Sequence, residues 1–298
     1  MPVERAEAAP AKVNLSLRVL RRRADGYHDL ESLVVFAAVG DALAFTPGSG
    51  IQFAVRGPTA AASGDVADNL VLKAAHAAAE RIAGLKLGRF VLSKRLPVAA
   101  GLGGGSADAA AALRLIAKAN HLSLDDARLK EAARVSGADV PVCLDPQPRV
   151  MRGIGEILSK PLDLPPLHAV LVNPCVPVAT KDVFAAVAAV AARGGEAIDE
   201  TSLPRGRSDL IAFVARHGND LEAPAISLQP LIGDVLAALR ARSGCALARM
   251  SGSGATCFGL FGTGRAASMA AKELRHRHGD WWVRATTLGG QQTWSGRS

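Results

Sequence analysis

Apolar and polar positions alternate over residues 11–20, where Val13, Leu15, Leu17 and Val19 are separated by Asn14, Ser16 and Arg18. A two-residue period sends successive side chains to opposite faces, so this segment reads as a strand with one buried face. Charges and the turn dipeptide Asp25-Gly26 interrupt it over 21–28. Apolar runs at 33–39 and 43–45 predict two more strands, with Gly40-Asp41 between them. The period then lengthens. Asp68-Asn69 precedes Leu70, Ala74, Ala77, Ala78 and Arg81, which predicts a capped helix through residue 83. Residues 89–94 read as a strand, followed by Pro97 and a cluster of glycines. From Ser106 to residue 119 nearly every position is Ala, Leu or Ile, the pattern of a helix buried all round. A further helix is expected over 124–135, stopping near Gly137.

The pattern changes at 146–155, and 161–166 is proline-rich, so the chain divides into lobes of 1–155 and 156–298. The second lobe should hold a strand at 168–172, a helix from Lys181 and a polar loop over 193–207. Helices at 209–216 and 230–242 precede a hairpin-like stretch of 247–253 and 256–261. A helix at 266–276 and a strand at 282–286 close the fold, and the tail 289–298 is expected to be mobile. Strands and helices alternate irregularly, which predicts an α+β fold and not a doubly wound parallel sheet.

Composition narrows the function classes. A chain of 298 residues with 49% hydrophobic and 21% charged residues can build two cores and is not a disordered chain. No apolar stretch approaches the roughly 20 residues of a membrane span. The first residues carry acids and lack the apolar core of a signal peptide. Cys143, Cys175, Cys245 and Cys257 are scattered and form no C-x-x-C pair, which argues against a disulfide framework or zinc ribbon and fits a reducing cytoplasm. A net charge of +8 favours anionic partners, either nucleic acid or phosphorylated small ligands. With 4% aromatic residues and a single tyrosine, base-stacking platforms are scarce, which weighs against nucleic acid.

The strongest chemical signal is Pro97-Val98-Ala99-Ala100-Gly101-Leu102-Gly103-Gly104-Gly105-Ser106, between a predicted strand and a predicted helix. Glycines let backbone N–H groups approach an anion, and a helix N-terminus adds partial positive charge. Four glycines in five positions exceed what a plain turn needs. Walker A requires a lysine after the glycines and none is present, and the dinucleotide spacing G-x-G-x-x-G fails at Ser106. The protein-kinase triplets H-R-D and D-F-G are also absent.

Residues 97–110 resemble the second signature of the galactokinase, homoserine kinase, mevalonate kinase and phosphomevalonate kinase (GHMP) superfamily. Met250-Ser251-Gly252-Ser253-Gly254-Ala255-Thr256 is similar to the third signature, and Ala9-Pro10-Ala11-Lys12-Val13-Asn14-Leu15 to the first. Ala24-Asp25-Gly26-Tyr27-His28 and Gly137-Ala138-Asp139-Val140-Pro141 resemble one branch, whose acceptor is a methylerythritol carrying a cytidine diphosphate. Gly153-Ile154-Gly155-Glu156 and Asn219-Asp220-Leu221-Glu222 match the same branch. The resemblance implies a two-lobe kinase with its active site in the cleft, acting in non-mevalonate isoprenoid precursor synthesis. ATP would be the phosphoryl donor and the acceptor's 2-hydroxyl the target.

It also implies roles. Asp139 would take the hydroxyl proton, with Lys12 offsetting charge on the transferring phosphoryl group. Pro97, Gly101, Leu102, Gly103, Gly104, Gly105 and Ser106 would hold the ATP phosphates, with Gly252, Ser253 and Gly254 closing the far side. Asn69 and Lys94 would serve adenine. Asn14 shares a strand face with Lys12 and would meet substrate hydroxyls, while Tyr27, His28, Thr180 and Phe184 would line the cytidine pocket. Mg²⁺ is expected to arrive with ATP, in reach of the Ser106 hydroxyl, because the chain shows no dedicated carboxylate cage. The partners expected are small molecules, with no nucleic acid or membrane, for a cytoplasmic monomer or weak homodimer. Two alternatives stand beside this: the same fold with mevalonate or homoserine as acceptor, and a non-catalytic nucleotide- or RNA-binding protein. Tyr27 and His28 speak against the first, and the presence of both Lys12 and Asp139 against the second. Arg21-Arg22-Arg23 could attract a diphosphate, but a charge run usually marks a solvated face, so it is left outside the site.

Overall fold

The computed structural model describes residues 4–187 and 197–289. β1 (Arg5–Arg22) and β2 (His28–Gly48) form a long antiparallel ribbon. Next come β3 (Gln52–Arg56), α1 (Leu70–Arg81), β4 (Leu87–Ser93), α2 (Gly104–Ala119), α3 (Ala127–Ser136), α4 (Val140–Leu144) and the hairpin β5 (Arg149–Gly153) and β6 (Ile157–Leu158). The chain continues through β7 (Leu167–Asn173), α5 (Thr180–Ala186), α6 (Arg207–His217), α7 (Glu222–Leu228) and α8 (Leu231–Arg240). It closes with β8 (Cys245–Met250), β9 (Cys257–Phe261), α9 (Gly264–Arg277) and β10 (Trp282–Leu288).

β2 is the hub of the sheet. The strands run in the order β3-β4-β2-β10-β7-β9-β8, with β1 and β5 also paired to β2. Among the described strands only the β3–β4 ladder is parallel; the other ladders are antiparallel, in keeping with an α+β fold.

Three apolar clusters hold these parts together. Helices α1 to α4 cover Phe36, Phe45 and Phe90. Helices α5, α7, α8 and α9 cover Val170, Val172, Cys257 and Phe261. The third cluster joins Val13, Leu15 and Val35 of the ribbon to Leu171, Phe258 and Leu260, and takes in Ala100 and Leu102 of the glycine loop. That loop is therefore anchored on a core shared by both halves of the chain.

Several sequence expectations need correction. The two strands expected at 33–39 and 43–45 are one strand, and Gly40-Asp41 is no turn. Gly40 sits opposite Pro10, where a Cβ would lie 2.3 Å from the Ala9 carbonyl oxygen, so glycine allows two backbones to close up within the ladder. β1 is longer than 11–20 and has no solvent face at its centre: Lys12, Asn14 and Ser16 are as buried as the apolar residues beside them. A polar face kept out of water needs partners, and the site supplies them. Short β3, β6 and α7 were not predicted, because five or fewer residues, or seven interrupted by Pro224, carry too little periodic signal. The helix expected from 124 starts at Ala127, where the Asp126 carboxylate accepts from the Arg128 N–H. Of the polar loop at 193–207, residues 193–196 lie outside the described residues, as does the tail beyond Gly289.

Candidate active site

The glycine loop leaves β4 through Pro97 and takes left-handed backbone at three alternate positions, Ala99 (φ 51°), Gly101 (φ 72°) and Gly103 (φ 59°). Gly104, Gly105 and Ser106 form the first turn of α2, where backbone N–H groups lack intrahelical acceptors and the helix dipole is positive. Leu102 is buried, and its carbonyl accepts the Lys12 N–H at 2.8 Å, which ties the loop to β1.

The loop at 251–256 docks against it. Ser251 Oγ donates to the Gly101 carbonyl at 2.9 Å and accepts from the Asn14 N–H at 3.1 Å. The Thr256 N–H donates to the Ala100 carbonyl at 3.1 Å. Asn219 Nδ2 spans this loop, donating to the Met250 and Gly252 carbonyls, both at 2.9 Å. Buried Arg249 donates to the carbonyls of Leu15, Val214 and Ala215, so β8 is clamped to β1 and α6 behind the site.

Between the loops lies an ion pair. Lys12 Nζ stands 2.9 Å from Asp139 Oδ2, with the lysine side chain 6% exposed and the aspartate 33%. The lysine stem lies against Gly103, where a Cβ would come 3.2 Å from Lys12 Cβ. Asp139 begins α4, yet its side chain makes no capping bond and turns to Lys12 instead. A carboxylate that is reachable from solvent but held by a buried ammonium can meet an incoming hydroxyl. Asn14 donates to Ser32 Oγ at 2.7 Å, while its Oδ1 is buried without a partner.

Of the other predicted acceptor residues, the structure brings His28, Phe184 and Thr180 together and leaves Tyr27 apart. The rings of His28 and Phe184 stack at 5.2 Å between centroids. Thr180, on the same short helix as Phe184, meets Ser253 at 2.8 Å between hydroxyls. Burial and then the Arg22 charge push the His28 imidazole below its ordinary value. Tyr27 is 59% exposed at the hairpin tip, with only its backbone fastened, to Arg23 and Asp25. The β5–β6 turn completes the wall: a Cβ at Gly155 would lie 3.1 Å from the Ala138 carbonyl oxygen, next to Asp139.

The two residues expected at adenine fare differently. Asn69 caps α1 through the Val71 N–H at 3.0 Å, and its neighbour Leu70 packs against Gly105. Lys94 does not present a free ammonium. Its Nζ donates to Asp41 Oδ2 and Asp108 Oδ2, both at 2.6 Å, behind Gly104. Sequence reading missed Asp41 and Asp108, although a lone carboxylate within the alanine-rich run after Ser106 was a legible signal.

Two carboxylates against one ammonium leave a buried excess of negative charge. Asp41 Oδ1 accepts two backbone N–H groups, those of Arg95 and Leu96, whereas Asp108 Oδ1 has no partner. Asp108 is therefore the carboxyl that takes up a proton. Burial, opposed by Lys94 and aided by Asp41, pushes it from 3.8 up to about 7. Burial also opposes the Lys94 charge, but the two carboxylates outweigh it and raise the lysine. A carboxyl raised on folding stabilises fully below its unfolded value and loses that contribution as pH rises through the folded one. Asp108→Asn is expected to flatten the fall of Tm from about pH 4 to about pH 7, measured by calorimetry. Identical pH slopes in the two proteins would rule this out.

Among the described residues, no group of three or more His, Cys, Asp or Glu could hold a metal ion, and no helix is long and apolar enough to cross a membrane. A groove of about 680 Å³ between α1 and α3, lined by Lys73, His76, Glu80 and Arg81 among others, shares none of the residues above.

The chain is similar to known proteins along nearly its whole length. The family models "GHMP kinases N terminal domain" and "GHMP kinases C terminal" match residues 69–145 and 206–280. A 4-diphosphocytidyl-2-C-methyl-D-erythritol kinase of Rhodopseudomonas palustris (strain BisB5) is 56% identical over 290 residues, 95% of this chain and 98% of that protein. Its counterpart in Bradyrhizobium diazoefficiens is 55% identical over 292 residues, 95% of this chain and 97% of that protein. The crystal structure of a 4-(cytidine 5'-diphospho)-2C-methyl-D-erythritol kinase superposes with a TM-score of 0.79 at 36% identity, covering 96% of this chain and 100% of that one. Identity at this level along nearly the full length leaves one conclusion: the chain belongs to the 4-diphosphocytidyl-2-C-methyl-D-erythritol kinase family of the GHMP kinases.

Proposed function

We propose that the protein transfers the γ-phosphoryl group of ATP to the 2-hydroxyl of 4-diphosphocytidyl-2-C-methyl-D-erythritol, giving the 2-phosphate and ADP, a step of non-mevalonate isoprenoid precursor synthesis. The observation that carries this reading is the Lys12–Asp139 pair at 2.9 Å, set against the glycine loop at Gly103. The acceptor hydroxyl approaches the exposed side of Asp139, which receives its proton as the new O–P bond forms. Lys12 offsets the charge that develops on the phosphoryl oxygens. The first turn of α2 holds the ATP phosphates, and Gly252 to Gly254 cover them. The Ser106 hydroxyl would offer an oxygen ligand to Mg²⁺ bound with the phosphates, and that ion would supply neutralisation of part of their charge.

In this reading the active site lies between lobes of 1–155 and 156–298. Lys12, Asp139 and the glycine loop come from the first, and Thr180, Phe184 and Ser253 from the second. The His28–Phe184 stack takes the cytosine. All four thiols are free, which supports a cytoplasmic enzyme; in this reading its partners are small molecules and it works as a monomer or weak homodimer. The test is ATP-dependent ADP release with Mg²⁺, comparing the cytidyl acceptor with mevalonate and homoserine. Turnover with the cytidyl acceptor alone is expected. Turnover with either of the others would overturn the acceptor and the base site, and silence with all three would overturn the catalytic reading.

A further inference from the structure

Three consecutive arginines lie where β1 ends, Arg21 and Arg22 in the strand and Arg23 just beyond it, and the structure separates them. Arg21 is paired with Asp29 at 2.5 Å. Arg23 reaches Asp25 at 3.3 Å, Asp29 at 3.7 Å and Glu156 at 3.8 Å. Arg22 has no carboxylate partner among the described residues. It stands directly opposite His28 in the β1–β2 ladder, and directly opposite residues of an antiparallel pair project to the same face. Its charge therefore lies on the side of the ribbon that carries the His28–Phe184 stack. The imidazole feels that charge, which adds to burial in pushing it down.

We infer that Arg22 is a specificity-determining residue that binds the diphosphate of the acceptor, a contact that rests on the acceptor proposed above. The physical need is plain. A base at the stack and a reacting hydroxyl at Asp139 are joined by two phosphates, which pass the hairpin tip. Glu156 would repel them there, but Arg23 offsets its charge, and Ile154 donates a backbone N–H to it at 2.6 Å. Among the described residues of the tip, Arg22 is the arginine left to meet an anion. A guanidinium offers paired donors that match phosphate oxygens, and charge-assisted bonds of this kind are stronger than neutral ones.

The test compares the wild type with Arg22→Gln, using Arg21→Gln as the control because Arg21 is already engaged by Asp29. Two quantities are read: kcat and KM for the acceptor, and inhibition by CDP and by cytidine, each competitive with the acceptor. Arg22→Gln is expected to raise the acceptor KM about tenfold, with the loss falling on KM and not on kcat. It should also abolish the preference for CDP over cytidine, and Arg22→Lys should restore part of it. Arg21→Gln should match the wild type on both counts. If Arg22→Gln keeps the CDP preference, the inference is overturned while the acceptor reading stands. If it weakens CDP and cytidine equally, Arg22 acts on the base site and not on phosphate, which also overturns it. A wild type that binds neither would sink the acceptor reading, and the inference with it.

Discussion

Asp139→Asn is expected to lower turnover about 10²–10⁴-fold while ADP and ATP still bind, the span ordinarily seen when a general base is removed. The substitution keeps the size of the side chain and the start of α4, so the fold should be unaffected. What it removes is a site for the hydroxyl proton, and it sets an amide against the buried Lys12 ammonium in place of a carboxylate 2.9 Å away. Single-turnover kinetics together with a titration of ADP separate the two effects. Phosphoryl transfer passes through a loose transition state in which proton removal can come late. Near-normal turnover would therefore mean that the proton leaves by another route and that Asp139 only positions Lys12.

Gly101→Ala should be as damaging, for a different reason. Gly101 has φ 72°, and a Cβ on it would lie 2.3 Å from the Ser251 carbonyl oxygen, 2.9 Å from the Gly254 carbonyl oxygen and 3.0 Å from the Gly254 nitrogen. Those atoms are backbone, fixed by the Asn219 and Ser251 hydrogen bonds, and cannot swing aside as a side chain can. The left-handed conformation alone costs a non-glycine residue about 1–3 kcal/mol. Separating the two loops adds to it and opens the phosphate site. We expect a lower urea midpoint and at least a tenfold (~1.4 kcal/mol) loss of ADP affinity. Gly262→Ala is the control, since a Cβ there meets nothing within 4 Å. If the two variants behave alike, the close approach of the loops does not matter.

The two predictions differ in how far the sequence anticipates them. Asp139 and Lys12 lie 127 positions apart, and periodicity cannot bring them together. Their likeness to family signatures nominated them, and the ribbon and α4 set the distance. The glycine loop was legible at once, because four glycines before an apolar helix say where backbone must approach closely. Which partner each glycine approaches was not legible. Gly101 meets residues some 150 positions away through a docking of loops that no local pattern encodes.

What the sequence determined by itself is local: the alternation of β1, the capped start of α1, the buried run of α2 and the glycines between strand and helix. Each depends on a few neighbouring residues whose backbone preferences and periodicity act without the rest of the chain. Tertiary structure decided the remainder. It made Gly40-Asp41 part of a strand, because β1 pairs with both residues and β4 joins the ladder from Ala42 onward. It turned the polar face of β1 inward and drew Lys94 into ion pairs with Asp41 and Asp108. It left Arg22 without a carboxylate among the described residues while its two neighbours found theirs. Charges and buried polar atoms take their meaning from whatever lies within a few ångströms, and only the folded chain sets those neighbours.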